Sequence, residues 1–258
     1  MIYLLPALEI LMVIHEMGRF GALLLASSGG ALTLMYFLAG SRKIGKRMIP
    51  VDREEMEWLH EGITRLSKRA KIKPPKVYLL DDYIPNAYSF GNNIVLSLGL
   101  FEVLDEEGIL AVAAHELGHI KNRDTRLFPI VMYLRFLMMT LTGAVLLLGS
   151  PLAKVSSLIL YIAYEVERSK FMKKREFKAD RAALKILDVP LSLKRALEEL
   201  KYYEDLRASV KVNGIPSIEP GIDRDERTRS RLIDTHPSYE ERIARILMYS
   251  NILNFQIK

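Results

Sequence analysis

The chain has 258 residues, a hydrophobic content of 50% and a formal net charge of +6. It contains no Cys, which excludes both a disulfide framework and a metal site built from thiolates. The apolar residues are more abundant than in a typical soluble enzyme and are concentrated in a few segments, so we expect membrane spans.

Basic residues cluster beside these apolar segments, at 42–47, 121–126 and 168–175. Such clusters are typical of the cytoplasmic ends of membrane helices. A lipid bilayer therefore explains the positive charge, and we expect no binding of nucleic acid.

Residues 20–40 form a segment of 21 residues without a charged side chain. As a helix this segment can cross a hydrocarbon core of about 30 Å. Residues 2–14 are also apolar, but they are fewer and include Glu9, so they predict a partial span or a helix in the interface. They lack a signal-cleavage pattern and are expected to be retained. Four basic residues within 41–47 predict that the following chain is cytoplasmic.

A folded domain is predicted to begin at residue 41. Residues 51–72 carry apolar side chains at helical spacing and predict an amphipathic helix that ends before Pro74. Three short β-rich runs follow, and they predict a small antiparallel sheet: 77–80, 86–90 and 93–98. One of these strands either holds a peptide substrate along its edge or serves only as scaffold.

Residues 114–120 read A-H-E-L-G-H-I and contain the H-E-x-x-H pattern of zinc peptidases. On a helix, His115 and His119 lie on one face, so both imidazoles can bind one metal ion. Glu116 lies about 100° round the helix, close enough to a metal-bound water to act as its general base. Asp105 is positioned to cap this helix. The alternative is a core helix whose His residues bond to backbone carbonyls.

A second apolar block occupies residues 127–164 and is interrupted by Arg135 and by residues 149–151. Its periodicity is compatible with one crossing or with two. A third zinc ligand from beyond Tyr164 must lie on the same side of the membrane as the His pair. Such a ligand would require an even number of crossings, as in a helical hairpin that turns at 149–151.

Two acidic residues, Glu176 and Asp180, lie one helical turn apart and share a face with Leu187. A carboxylate in apolar surroundings is unfavourable unless it is paired or bound to a metal, so Glu176 is the candidate third zinc ligand. Asp180 is then the candidate acceptor for the far ring nitrogen of a His ligand. The alternative is a charged surface helix in which Lys173 pairs with Glu176.

The C-terminal part of the chain has weaker signals. Residues 212–231 are rich in Gly, Pro and charge and predict a loop bordering the cleft. Ser238 and Glu241 predict a capping box at the start of a final helix. His236, just before it, is either structural or a donor to the oxyanion of the reaction.

The chain resembles the HtpX group of membrane zinc metallopeptidases, relatives of the CAAX prenyl endopeptidases. The resemblance is carried by N-A-Y-S-F-G, H-E-L-G-H, R-E-F-K-A-D and T-H-P-S-Y-E-E-R-I, in that order. It implies that His115, His119 and Glu176 bind zinc and that Glu176 and Asp180 form the family's E-x-x-x-D element. It also implies membrane-protein quality control with cleavage on the cytoplasmic side, and it favours a place in the cleft for His236.

We therefore predict an α+β, predominantly helical, multi-pass membrane protein whose zincin-type metalloprotease domain carries a small antiparallel sheet. Its predicted segments are an N-terminal membrane segment at 1–40, the first part of a cytoplasmic protease domain at 41–126, a membrane hairpin at 127–164 and the second part of the protease domain at 165–258. The chain is expected to cross the cell membrane two to four times.

The predicted function is a zinc endopeptidase with one Zn²⁺ per chain, acting on misfolded or membrane proteins through zinc-activated water and Glu116. Its expected partners are protein or peptide substrates and the lipid bilayer. The alternatives are a CAAX-type prenyl-peptide protease and a non-catalytic, membrane-anchored zinc protein. The sequence indicates no oligomeric state.

Overall fold

The computed structural model describes the backbone of residues 2–40, 48–212 and 236–256. Within these ranges the chain forms eight helices and one four-stranded sheet, so the predicted predominance of helix is confirmed. The chain divides into two compact units. The first consists of the described parts of Met1–Ile44, Arg126–Lys173 and Ser230–His236, and the second of the described parts of Gly45–Thr125, Lys174–Arg229 and Pro237–Lys258.

The first unit begins with α1 (Leu4–Gly40), which is broken at Gly18. Gly18 has φ 52° and ψ −125°, a conformation that L residues rarely adopt. The chain turns sharply there, since a Cβ on Gly21 would lie 2.6 Å from the carbonyl oxygen of Val13. The break falls in the short linker predicted between the two N-terminal apolar segments.

Most of two long helices, α5 (Asp124–Leu148) and α6 (Pro151–Ile186), belongs to the first unit, whereas their residues before Arg126 and after Lys173 belong to the second. They are antiparallel, because the Tyr164 hydroxyl donates to the Val131 carbonyl at 2.9 Å, and Thr142 and Ser157 both bond to Glu9. The turn between them lies within the predicted 149–151. Helix α6 continues past Tyr164, the end of the apolar block, because residues 152–186 contain neither Gly nor Pro.

Two helical stretches in the described part of the chain are long and apolar enough to cross a membrane, Leu4–Leu34 and Asp124–Leu148. The side chains of this unit are arranged in an unusual way. Leu147 and Leu152 are 80% and 79% exposed, whereas Glu9 is fully buried. An apolar surface around a polar interior is typical of a protein whose solvent is lipid.

The second unit contains a sheet with strand order β1-β2-β4-β3. Its strands are β1 (Met48–Pro50), β2 (Lys76–Leu80), β3 (Ala87–Phe90) and β4 (Asn93–Ser97). The prediction of a purely antiparallel sheet was wrong, since β2 and β4 are parallel while the other two pairs are antiparallel. The β3–β4 hairpin enters the sheet with β4 against β2, which leaves β3 at the edge. Strand β1 escaped prediction because it has only three residues.

Helix α4 (Glu106–Lys121) is surrounded by the other helices of the second unit. These helices are α2 (Glu57–Ala70), α3 (Leu98–Val103), α7 (Ser192–Val212) and α8 (Tyr239–Gln256). All nine residues from Ala111 to His119 are buried, so α4 is the central helix. Its predicted cap is confirmed, because Asp105 accepts a hydrogen bond from the Gly108 N–H at 2.7 Å. The capping box of α8 is also present, with two bonds of 3.2 Å between Ser238 and Glu241.

Candidate metal centre

Helix α4 carries the two His residues of the H-E-x-x-H pattern on one buried face. His115 is 7% exposed and His119 is 5% exposed. The four-residue spacing stacks the two rings along the helix, and their Nε2 atoms lie 3.1 Å apart. The two nitrogens therefore converge on one point.

Glu176 of α6 meets these nitrogens from the opposite side. Its carboxylate oxygens lie 3.4 Å from Nε2 of His115 and 3.5 Å from Nε2 of His119. Helix α6 can approach α4 this closely because Gly118 stands between the two His residues. A Cβ at Gly118 would lie only 2.7 Å from the Ala179 carbonyl oxygen, a distance that side chains do not tolerate.

The three groups fit a zinc ion. Tetrahedral ligands at about 2.0–2.2 Å from zinc lie about 3.3 Å from one another, and the three separations here are 3.1, 3.4 and 3.5 Å. Two imidazole nitrogens and a carboxylate are the donors of many catalytic zinc sites, in which the fourth position stays open. Two ring nitrogens and a carboxylate at these separations favour a positive charge between them, carried either by a metal ion or by protons.

Each His has a carboxylate at its other ring nitrogen. Nδ1 of His115 lies 2.8 Å from Asp180, and Nδ1 of His119 lies 2.9 Å from Asp124. A carboxylate at Nδ1 holds the ring proton there and leaves the Nε2 lone pair free for a metal. The structure thus brings Asp180 to the position that the sequence predicted, whereas Asp124 was missed.

Each carboxylate is in turn bound by an arginine. Asp180 accepts two hydrogen bonds from Arg242 of α8, at 2.6 and 3.0 Å. Arg242 also lies 3.2 Å from Nδ1 of His115, but a guanidinium only donates, and Nδ1 carries its own proton toward Asp180. Asp124 accepts from Arg175, which precedes Glu176 on α6.

Sequence reasoning missed both arginines and Asp124. Arg242 lies within the quoted T-H-P-S-Y-E-E-R-I stretch, and Arg175 within R-E-F-K-A-D. Their partners lie 62 and 51 residues away in the chain, so no local spacing indicates the pairing. The available signal for Asp124 was its position five residues after His119, ahead of the apolar block.

Burial and charge act in opposite directions on the acids of the site. Burial raises the pKa of Glu176, but hydrogen bonds from the two His residues outweigh it and hold that pKa well below its usual range. Burial likewise raises the pKa of Asp180, whereas the Arg242 and His115 charges lower it to about 2. Both carboxylates are therefore anionic at neutral pH.

The same carboxylates favour positive charge on the His pair when no metal is bound. Burial lowers the pKa of His119, but hydrogen bonds to Asp124 and Glu176 raise it to about 10. Burial and the Arg242 charge lower the pKa of His115, whereas the charge and the hydrogen bond of Asp180 raise it. The raising effects are larger, so this pKa lies above its usual value. The centre therefore attracts a cation, whether protons or a metal ion.

The two remaining predicted residues occupy different environments. Glu116 lies on α4 between His115 and His119 in the chain and is 6% exposed, and its negative charge contributes to the raised pKa of His119. His236 is exposed and lies three residues before the start of α8 at Tyr239. The roles of base and oxyanion donor stay predictions.

Comparisons with known proteins show that this chain is similar to peptidases. The profile described as Peptidase family M48 matches residues 53–250. A protein named Protease HtpX homolog from Sulfurihydrogenibium sp. is 32% identical over 229 residues, which cover 75% of this chain and 74% of the relative. Another Protease HtpX homolog, from Aquifex aeolicus, is 30% identical over 240 residues, covering 78% and 74%.

The crystal structure of Ste24p from S. mikatae has a similar fold, with a TM-score of 0.50 and 21% sequence identity. The match covers 78% of this chain and 51% of Ste24p, so the chain spans about half the length of that structure. The candidate metal ligands and their carboxylate and arginine partners all lie within the matched residues 53–250.

Proposed function

This chain belongs to peptidase family M48, and from that premise we propose that it is a zinc-dependent membrane endopeptidase that cleaves misfolded or membrane proteins on the cytoplasmic side. It is a metallopeptidase, as its family and its HtpX relatives indicate. The observation that carries the zinc proposal is the convergence of three donors to within 3.1–3.5 Å of one another. Their partners at Nδ1 hold both His residues in the metal-binding tautomer.

In the proposed mechanism, His115, His119 and Glu176 hold the zinc ion and Glu116 acts as general base. When bound, zinc supplies a Lewis acid that polarises the scissile carbonyl and lowers the pKa of a water molecule. Glu116 takes the proton of the attacking water and passes it to the leaving amine. His236 is the candidate donor to the substrate oxyanion. The buried position of Glu116 on α4, between His115 and His119 in the chain, supports its role, because it places a carboxylate beside the candidate metal without making it a ligand.

Strand β3 is the proposed binding edge for the peptide substrate. Within the described sheet β3 pairs with β4 alone, and β3 packs against α4, which carries the metal centre. An extended peptide can add to such an edge through backbone hydrogen bonds, whatever its side chains. This mode suits a protease for misfolded proteins, because unfolded segments of many sequences share the same backbone.

The α5–α6 hairpin is proposed to cross the membrane and return. Glu176 and the His pair meet at one centre, so the chain that leaves at residue 126 must come back to the same side. On α6 the exposed side chains between the turn and Tyr164 are apolar, and they include Leu152, Val155 and Ile159 at 79%, 59% and 61% exposure. These side chains support contact with lipid.

The proposal is tested by zinc content and casein hydrolysis of the detergent-purified protein and of two variants. Glu176→Ala is expected to lose zinc and activity together. Glu116→Gln is expected to keep zinc and lose at least about 100-fold in rate. Full zinc and activity in Glu176→Ala would refute the ligand assignment, and normal proteolysis by zinc-loaded Glu116→Gln would refute the base.

Substrate class and topology need separate measurements. Cleavage of a prenylated peptide but not of unfolded membrane proteins would favour the CAAX-type alternative. For peptide binding, a substrate with N-methylated backbone amides should bind Glu116→Gln more weakly than its parent peptide.

Because the chain has no Cys, single cysteines can report its topology in intact cells. Ser150→Cys at the hairpin turn should react with an impermeant maleimide from outside. Asp188→Cys in the second unit should react only after permeabilisation. Protection of Ser150→Cys in intact cells would contradict a full crossing.

A further inference from the structure

The turn between α4 and α5 has a strained conformation directly beside the metal centre. Helix α4 ends at Lys121 and α5 begins at Asp124, so Asn122 and Arg123 make the whole connection. Arg123 has φ 62°, a left-handed conformation that costs an L residue about 1 kcal/mol or more. Contacts with other parts of the fold must therefore hold this turn in place.

Arg175 supplies those contacts from α6. Its guanidinium donates to the Asn122 carbonyl oxygen at 2.6 Å and also to Oδ1 of Asp124. Asp124 is fully buried, and the Arg175 side chain is 14% exposed. A buried pair of this kind is sensitive to the loss of either partner, since the remaining charge is left uncompensated.

The geometry divides the two oxygens of Asp124 between two partners. Oδ1 faces Arg175, whereas Oδ2 lies 2.9 Å from Nδ1 of His119. Because Arg175 occupies the first oxygen, the carboxylate cannot rotate without losing a charge-assisted bond. The carboxylate that accepts from His119 is therefore held in a single orientation.

Arg175 directly precedes Glu176 on the same helix. The segment of α6 that carries the third candidate ligand therefore also fastens the acceptor of the second ligand. Any shift of α6 that moves Glu176 away from the His pair also draws Arg175 away from Asp124. Two of the three metal donors are thus linked through protein contacts as well as through the metal.

We propose that Asp124 and Arg175 are a positioning pair for the metal centre, which orients His119 and holds Glu176 in register with it. The inference rests on the proposed zinc site. The competing explanation is an ion pair that only joins the ends of α5 and α6. Such a pair would affect the stability of the protein but not the metal affinity of the folded state.

The test measures the zinc dissociation constant by chelator competition, and the visible spectrum of the Co²⁺-loaded protein, in Asp124→Asn and Arg175→Met. We expect Asp124→Asn to weaken zinc binding by about 10- to 100-fold and Arg175→Met by about 10-fold. Both should change the Co²⁺ spectrum, which reports ligand geometry. Arg175→Lys keeps the positive charge but lacks the planar guanidinium that donates to two acceptors at once. Its zinc affinity should therefore be higher than that of Arg175→Met. The double variant should bind zinc no more weakly than Asp124→Asn, because Arg175 acts on the metal centre through Asp124.

Two matched controls remove similar side chains from exposed ion pairs in the same unit. Arg195→Met breaks the pair with Glu107 at 2.6 Å, and Asp188→Asn breaks the pair with Arg69. Neither should change zinc affinity or the Co²⁺ spectrum.

Wild-type affinity and spectrum in folded Asp124→Asn and Arg175→Met would overturn the positioning role. If Asp124→Asn does not fold, Arg175→Lys and Arg175→Met decide the question, and unchanged affinity in both overturns the inference. Glu176→Ala, measured in parallel, distinguishes a failure of this inference from a failure of the proposed zinc site. If that variant loses zinc while the positioning variants bind normally, only the inference fails, whereas normal zinc binding by Glu176→Ala removes the site itself.

Discussion

The two units of the molecule treat buried polar groups in different ways. Among the described residues, the fully buried Glu9 of the first unit accepts hydrogen bonds only from the hydroxyls of Thr142 and Ser157, and the surface of this unit is rich in exposed Leu and Ile. In the second unit the buried Asp124 and Asp180 each pair with an arginine and a histidine. The first pattern suits a bundle surrounded by hydrocarbon, and the second suits a water-soluble domain that concentrates charge around a metal.

The largest expected effect comes from breaking the charge pairing of the second unit. Asp180→Ala leaves Arg242, whose side chain is 15% exposed, without its carboxylate and His115 without its acceptor. Removing one partner of a buried pair costs about 3–5 kcal/mol, and losing the acceptor of a metal-bound His costs about 10- to 100-fold in metal affinity. Denaturant unfolding and zinc titration measure the two losses.

The matched double variant is Asp180→Leu with Arg242→Met, which removes both charges and keeps apolar volume. Replacing a whole buried pair with apolar residues is often close to neutral for stability. The double variant should therefore unfold at a higher denaturant concentration than Asp180→Ala and still bind zinc weakly. Equal destabilisation of both variants would indicate that the uncompensated charge is not the cause.

The second prediction concerns the metal-free second unit, where protons take the place of the metal charge. The pKa of His119 is raised from 6.5 to about 10, so the folded state binds this proton more tightly than the unfolded state. The resulting stability is fully present below about pH 6.5 and is lost as the pH rises through about 10. Each pKa unit corresponds to about 1.4 kcal/mol, so the expected loss is a few kcal/mol.

This loss is measured by denaturant unfolding with a chelator between pH 6.5 and pH 10. The zinc-loaded protein should lack the effect, because its His119 is neutral throughout. The metal-free His119→Gln variant should also lack it. An equal loss in the zinc-loaded protein would assign the pH dependence to other groups.

The third prediction tests whether the first unit has a lipid environment. Ile159 and Tyr202 are similarly exposed, at 61% and 69%, but they belong to the first and second units respectively. A Lys at the centre of a membrane helix costs about 2.5–3.5 kcal/mol, whereas a surface substitution in water changes stability by about 0.5 kcal/mol or less. Ile159→Lys should therefore reduce the fraction of protein that resists alkaline extraction from membranes, and Tyr202→Lys should not. Normal membrane retention of both variants would place Ile159 outside the hydrocarbon.

The smallest expected effect tests ordinary capping rules on the water-exposed surface of the second unit. Lys71 ends α2 with φ 58° and ψ 44°, a conformation in which Gly has no steric penalty. Lys71→Gly should raise the free energy of unfolding by about 0.5–1 kcal/mol. Zinc affinity should not change, because the substitution removes no contact of the metal centre. Destabilisation by Gly would mean that the Lys71 side chain contributes more than its backbone strain costs.

The signals that predicted structure correctly were local ones. The cap by Asp105 and the capping box of Ser238 and Glu241 depend on residues three apart, and the break after Leu148 depends on a Gly-Ser-Pro run. The His pair and the acids at 176 and 180 are also local, since four-residue spacing on a helix puts side chains on one face whatever surrounds them. These patterns were sufficient to predict the three candidate donors and Asp180, which the structure brings together, but not Asp124 or the two arginines.

The sequence by itself therefore determined the helix that carries the His pair, the helical face shared by Glu176 and Asp180, and which side chains can act as donors, because each of these depends on neighbours within one or two turns. Only the tertiary structure decided that β4 lies parallel to β2, that Gly118 admits α6 against α4, and that Arg175 and Arg242 bind the carboxylates behind the His ligands. Those contacts join residues far apart in the chain. Their energy depends on the distance between charges and on the exclusion of water, and neither quantity is encoded in local spacing.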